Sequence, residues 1–186
     1  RIYGLTKGQY SPTSEHGKVT KSTPFGAPDM PLNPMLFALS AGATFIARTY
    51  DIDPKGMKEI FKEAVEHKGT SFVEIYQNCN IFNDGTFSPI YERSVREDQI
   101  LNLKHGEHFL FGKKQNKGIR LNGLKPEIVD LENGFNKEDL LKHDQYSSDN
   151  TLANLLSNFN YPEFPIPMGV LRQTNNPTYG EIIENQ

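Results

Sequence analysis

The sequence predicts an α/β fold over residues 1–79, followed by a loop-rich α+β extension over residues 80–186. Three observations carry this. Residues 43–76 read as strand, helix, strand with short connections, the signature of a βαβ unit with parallel strands and a right-handed crossover. Both strands are apolar on both faces, as in the buried parallel sheet of a doubly wound fold. After Cys79 the character changes to short segments among turns.

In chain order, Ile2 and Tyr3 look like the last residues of a buried strand. Gly4 and Gly8 then give the backbone freedom for a close approach, with Lys7 between them and hydroxyl-rich turn chemistry at Ser11 to Ser14. A glycine loop after a strand end is where open α/β sheets place ligands, although a glycine pair alone more often marks a plain turn. Residues 15–33, punctuated by Gly17, Pro24, Gly26, Pro28 and Pro31, form a long ordered loop, either a connection or a lid. Asn33-Pro34 is a helix start, with Asn as cap and Pro in the first turn, and the helix ends at Gly42. Ala43 to Tyr50 is a strand. Asp53-Pro54 repeats the cap signal, and Met57, Ile60, Phe61, Ala64 and Val65 mark one amphipathic face. Glu59, Glu63 and Glu66 fall on the solvent side. His67 sits at the helix C-terminus, where positive charge suits the dipole. Ser71 to Tyr76 is the next strand.

Beyond Cys79, Asn83-Asp84-Gly85 is a turn and residues 90–103 are partly helical. His108 to Phe111 and Gly118 to Leu121 flank a hairpin turn, and Ile128 to Leu131 is a short strand. Lys137 to His143 is a short helix, and a second contains Leu152, Leu155, Leu156 and Phe159, capped by Asp149 or Asn150. From Tyr161 the Pro-rich chain runs extended over a neighbour. Sheets of this kind have about four to six strands, so two strands leave the sheet incomplete. The missing ones are expected from a separate polypeptide.

Composition narrows the function classes. The 186 residues are 36% hydrophobic, low for a self-sufficient α/β core, and 12 prolines with 15 glycines imply much loop. The net charge of −3, with signs interspersed, argues against a nucleic-acid surface. No apolar run approaches the ~20 residues of a membrane span. A single cysteine forbids an internal disulfide and fits a reducing cytoplasm. An Arg at position 1 points to a fragment or a cleaved product. No histidine pair has metal-ligand spacing.

The run Ile2-Tyr3-Gly4-Leu5-Thr6-Lys7-Gly8-Gln9-Tyr10-Ser11-Pro12-Thr13 is too long and unusual to be a short motif, and it is followed by Thr20-Lys21-Ser22-Thr23-Pro24-Phe25-Gly26. With Gln77-Asn78-Cys79-Asn80-Ile81-Phe82-Asn83-Asp84 and Phe164-Pro165-Ile166-Pro167-Met168-Gly169-Val170, it resembles the β subunit of 2-oxoacid:ferredoxin oxidoreductases, in the 2-oxoglutarate-type (KorB-like) branch. The resemblance implies that residues 1–79 are the C-terminal part of a thiamine-diphosphate-binding domain. It implies oxidative decarboxylation of a 2-oxoacid to an acyl-CoA and CO2, with electrons passed through an iron–sulfur cluster to ferredoxin. Expected partners are the N-terminal half of the same subunit, an α subunit, ferredoxin, a 2-oxoacid and coenzyme A. A fragment of this kind would be inactive alone. The family's Gly-Asp-Gly motif, the Asn that precedes Arg1 and three further cysteines are absent from this sequence.

Residue by residue, the resemblance places Ile2, Tyr3, Gly4, Leu5 and Thr6 against the cofactor. The Ile2 main-chain carbonyl would be a Mg2+ ligand, since that ion takes hard oxygen donors. Glycine-loop N–H groups and the Thr6 hydroxyl suit phosphate oxygens. Lys7 would serve substrate or coenzyme A handling by pairing with a carboxylate or phosphate. Cys79 would be the fourth ligand of a [4Fe–4S] cluster, although the family's usual Cys-Pro is Cys79-Asn80 here. Without the resemblance, Lys7 reads as a surface lysine and Cys79 as a small buried hydrophobe. The competing functions are a non-catalytic assembly fragment and an unrelated α/β nucleotide-binding module.

Overall fold

The computed structural model describes residues 1–186. A two-stranded hairpin opens it, β1 (Ile2–Tyr3) against β2 (Gln9–Tyr10), antiparallel with Ile2 opposite Tyr10. Helix α1 (Pro34–Ser40) starts at Asn33, whose side chain accepts the Met35 and Leu36 N–H groups, and Pro34 adds no orphan donor. Strand β3 (Phe45–Tyr50), helix α2 (Pro54–Glu66) and strand β4 (Ser71–Tyr76) form the predicted βαβ unit, with Phe45 opposite Ser71 and Tyr50 opposite Tyr76 in parallel register. Short helices α3 (Ser88–Tyr91) and α4 (Arg96–Gln99) lead into β5 (Ile100–Asn102). Strands β6 (Leu110–Phe111), β7 (Lys117–Asn122) and β8 (Lys125–Asp130) make an antiparallel meander. Helix α5 (Thr151–Ser157), strand β9 (Ile166–Gln173) and helix α6 (Tyr179–Glu184) close the chain.

The main sheet has the order β4-β3-β9-β5. This corrects the expectation that β3 needs a separate polypeptide beside it. Strand β9, expected to be an extended tail, pairs antiparallel with β3 and parallel with β5. Its six-residue run Ile166–Leu171 is almost wholly buried, so apolar content outweighed its proline and glycine. The pairing slips between Ile46 and Ala47, a bulge that lets a strand with Gly169 at positive φ follow the sheet. The sheet's outer strand β4 has a neighbour on one side only, and Ile75 is accordingly 42% exposed rather than buried.

All six residues of β3 are buried. Each fully buried Phe45 or Ile46 side chain contributes about 1.5–3 kcal/mol relative to exposure. One face, with Phe45, Ala47 and Val170, packs on Ile60 of α2. The other carries Ile46 and Leu171 into the largest core, with Met35, Leu39, Phe109, Ile119, Leu156 and Phe159.

Four local expectations change. The apolar face of α2 buries only Ile60, leaving Val65 85% and Phe61 40% exposed, because the sheet beneath it is narrow. Glu63 is half-buried rather than solvated, and burial with Glu59 and Glu66 nearby raises its pKa. Desolvation lowers the His67 pKa, which disfavours the positive charge that would serve the helix dipole, and the ring meets Thr44 Oγ1 at 2.8 Å. Residues 137–143 form a single 3-10 turn, Lys137–Asp139, after which the chain extends so that His108 bridges Lys142. The loop at 15–33 is held by Gly17 N–H to Ala27 O and Ala27 N–H to Lys18 O.

Candidate functional site

A cleft of about 880 Å³ opens where the C-terminal ends of β3 and β4 meet the start of the chain. Ends of parallel strands are where α/β sheets hold ligands, because connections diverge there. Ile2 and Cys79 line this cleft together with Arg1, Glu15, Arg48 and Glu74. The structure thus brings together two of the sequence-derived candidates. The hairpin tip with Gly4, Leu5, Thr6 and Lys7 lies outside the cleft wall and is exposed, Leu5 by 98%.

The floor of the cleft is a charged and aromatic assembly. Arg48 sits opposite Glu74 in the β3–β4 register and donates through Nε to Glu74 Oε2 at 2.7 Å. Its guanidinium carbon lies 5.2 Å from the Tyr76 ring centre. Arg1 approaches the same ring at 5.5 Å and Phe87 at 5.3 Å, and pairs with Glu15 at 2.5 Å. Cations over aromatic faces are attracted by the ring quadrupole, more so when desolvated. Tyr76 stacks on Phe87 at 4.6 Å, and Phe87 on Tyr91. The Tyr91 hydroxyl donates to Tyr76 O at 2.7 Å, and burial pushes its pKa upward, reinforced by the Asp51 carboxylate. Arg48 is 2% exposed, yet its Nη1 has no acceptor, and Glu15 Oε2 has no donor. Buried polar atoms without partners are rare, and each calls for an explanation, a bound group being one.

Arg48 escaped the sequence reading. Its signal was present: a lone cation inside the apolar run Ala43 to Tyr50, which a strand buried on both faces cannot leave uncompensated.

Cys79 stands at the head of a tight turn. Asn83 N–H donates to Cys79 O at 3.0 Å, and Phe82 N–H points at the sulfur at 3.5 Å. The backbone donors of Phe82, then Ile81, draw the thiol pKa downward, favouring the thiolate that binds metals. The turn is anchored by Asn78, whose backbone N–H donates to Asp51 Oδ2 and whose amide engages Asp84 and Gly85. Cys79 is partly exposed, so the reading as an inert buried hydrophobe does not describe it. No three His, Cys, Asp or Glu side chains of this chain gather as a metal site. A thiol is a donor that an iron–sulfur cluster takes, and one cysteine can supply one of the four ligands such a cluster needs.

The hairpin closes through Gly8 N–H to Tyr3 O at 2.8 Å and Lys7 N–H to Gly4 O at 3.1 Å. Lys7 itself adopts the left-handed region, φ +69°, which costs a non-glycine residue about 1–2 kcal/mol. The N–H groups of Leu5 and Thr6 make no hydrogen bond within the chain. Two free amides, a hydroxyl and an ammonium on one turn fit the oxygens of a diphosphate or carboxylate.

Comparison with known proteins adds an independent line. Residues 1–75 match the family described as thiamine pyrophosphate enzyme, C-terminal TPP binding domain. The chain is 39% identical over 187 aligned residues to the 2-oxoglutarate oxidoreductase subunit KorB of Mycobacterium tuberculosis, covering all of this chain and 50% of that protein. It is 44% identical over 94 residues to a 2-oxoacid:ferredoxin oxidoreductase β subunit of Saccharolobus solfataricus, covering 50% of this chain and 31% of the relative. Among solved structures, it is similar to 2-oxoglutarate:ferredoxin oxidoreductase from Magnetococcus marinus, a structure with 2-oxoglutarate, coenzyme A and succinyl-CoA bound. The TM-score is 0.66 at 29% identity, over 99% of this chain and 48% of that one. The chain spans at most about half the length of these relatives.

Proposed function

This chain is related throughout its length to the β subunits of 2-oxoacid:ferredoxin oxidoreductases, and from that premise we propose that it forms part of the site in which such an enzyme oxidatively decarboxylates 2-oxoglutarate. The balanced reaction is a 2-oxoacid plus coenzyme A thiol giving an acyl-CoA, CO2, one proton and two electrons, the electrons passing to ferredoxin. The observation that carries the reading is the cleft itself. It gathers Ile2, at the root of the candidate cofactor loop, and Cys79, the candidate cluster ligand, at the strand ends of a domain that matches thiamine pyrophosphate enzymes.

Thiamine diphosphate, when bound, supplies the electron sink that lets the 2-oxoacid release CO2. The chain's residues hold and orient it. Leu5 and Thr6 offer free N–H groups to diphosphate oxygens, Tyr3 and Gly4 shape that turn, and the Ile2 carbonyl is the main-chain ligand for Mg2+. Lys7 pairs with the 2-oxoacid carboxylate or a coenzyme A phosphate. Cys79 holds one iron of a [4Fe–4S] cluster whose other three thiolates come from the rest of the subunit. Residues 1–79 form the cofactor-side unit and 80–186 the subunit's own extension, which returns β9 to the sheet beside β3. The free edge of β4 receives the remainder of the subunit, and an α subunit completes the cytoplasmic enzyme. No helix here is long and apolar enough to cross a membrane.

The test uses the complete β subunit co-purified with its partner. Thiamine diphosphate binding is measured by calorimetry, iron and sulfide by chemical analysis, and 2-oxoglutarate-dependent viologen reduction with coenzyme A by absorbance. Saturable cofactor binding and 2-oxoglutarate turnover support the reading. Lack of cofactor binding overturns it, and turnover of pyruvate alone overturns the choice of 2-oxoacid.

A further inference from the structure

We propose that Phe82 couples the cysteine turn to the lysine hairpin and is a positioning residue for both. Its functional meaning rests on the reading above; the contact itself rests on geometry alone.

One residue makes both connections. The Phe82 backbone N–H is directed at Cys79 Sγ, 3.5 Å away. Its ring lies on Gly8: a Cβ built on that glycine would stand 3.1 Å from Phe82 Cδ1 and 3.7 Å from Cε1. Gly8 directly follows Lys7, has φ +103°, and its N–H closes the hairpin on Tyr3 O. Thiol, amide, ring and hairpin closure are therefore consecutive contacts of one path. Glycine suits the position twice: its φ is one that side-chain-bearing residues rarely adopt, and a Cβ there would ask the ring to give by a few tenths of an ångström. Phe82 is 36% exposed, and Gly8 of the hairpin is one neighbour that covers its ring.

The consequence is mechanical. A ring that loses Gly8 is free to turn, which loosens residue 82 and its amide within a turn that Asn78 and the Asn83–Cys79 bond otherwise hold. Hydrogen bonds to ligand sulfurs tune both the strength of metal binding and cluster potential. In the other direction, a hairpin that loses the ring frays at the Gly8–Tyr3 bond, and the turn that carries Lys7 loses that anchor. Electrons passing one at a time from a group on the hairpin side to a group on Cys79 are served by a fixed relation between these two segments, and this contact is one that links them.

Reciprocal perturbation tests the coupling in the complete protein. Phe82→Ala is expected to speed hydrogen exchange at the Gly8 amide about tenfold, as for a local opening. Gly8→Ala is expected to speed the release of iron to a chelator about tenfold, the lower end of the usual effect of groups that orient metal ligands. Phe82→Leu keeps an apolar cover and is expected to restore both rates to within about threefold of wild type. Unchanged Gly8 exchange in Phe82→Ala, or unchanged iron release in Gly8→Ala, overturns the coupling. If the complete protein carries no iron, the cluster assignment fails separately. The alkylation rate of the free Cys79 thiol by iodoacetamide then replaces iron release, with the same direction expected. If Phe82→Ala does not fold, Phe82→Leu and Phe82→Val take its place: exchange that rises as the cover shrinks supports the proposal, and exchange that stays flat overturns it.

Discussion

The cleft floor and the hairpin tip are both assigned to the same chemistry, yet they are built in opposite ways. The floor is over-determined. Arg48 is held by Glu74 and Tyr76, Tyr76 by Phe87 and Tyr91, and the cysteine turn by Asn78. The tip is under-determined, with free amides at Leu5 and Thr6 and an unpaired, exposed Lys7 in a left-handed conformation. Rigid elements position a site precisely, whereas loops with few internal contacts open at low cost. The floor therefore keeps its shape without a ligand, and the tip takes its final shape from whatever binds it. Substitutions in the two regions should differ in kind: floor changes act on stability, tip changes on function.

The largest effect is expected at Arg48. Arg48→Ala leaves Glu74, only 17% exposed at its side chain, without its partner, and should cost about 3–5 kcal/mol in a denaturant titration. The double substitution Arg48→Met with Glu74→Leu should recover most of that loss, because an apolar pair of similar volume needs no desolvated counter-charge. A double variant as unstable as the single one would mean that the unpartnered Nη1 has an acceptor in the complete protein, and that the floor is finished by another segment.

Much of this contrast was legible in the residues, and the illegible part has a common cause. The βαβ unit, the Asn33 and Asp53 caps, the hairpin of β6 and β7 and helix α5 follow from local periodicity and cap chemistry, and the structure has them. The return of β9 to β3 does not, because it joins residues more than 120 positions apart and β9 carries a proline and a glycine that locally argue against a strand. The site divides in the same way. Ile2 and Cys79 stood out through the resemblance of their surrounding runs, and the cleft unites them. Arg48 and Phe82 act through partners distant in sequence, Glu74 and Gly8, and only the fold makes those pairs.

A smaller effect of opposite sign is expected at Lys7. Its φ of +69° costs a side-chain-bearing residue about 1–2 kcal/mol, against roughly 0.5–1 kcal/mol of extra chain entropy lost by a glycine. Lys7→Gly should thus stabilise the chain by up to about 1 kcal/mol while removing the ammonium. A thermal melt that moves downward would show that the lysine side chain contributes to stability through a contact made in the complete protein.

The smallest change in stability, and the sharpest functional one, belongs to Lys7→Ala. Alanine suffers the same left-handed penalty as lysine, so stability should stay within about 0.5 kcal/mol of wild type. Turnover of the 2-oxoacid in the complete enzyme should nevertheless fall, while thiamine diphosphate affinity survives, because the proposed site offers the diphosphate backbone amides rather than the ammonium. The two Lys7 variants separate charge from backbone. If both lower turnover equally, the ammonium acts on an anion, and its effect should weaken as salt screens the pair. If only Lys7→Gly lowers turnover, the turn's shape is what matters and Lys7 leaves the site. Unchanged steady-state kinetics in both variants would return Lys7 to the solvated surface.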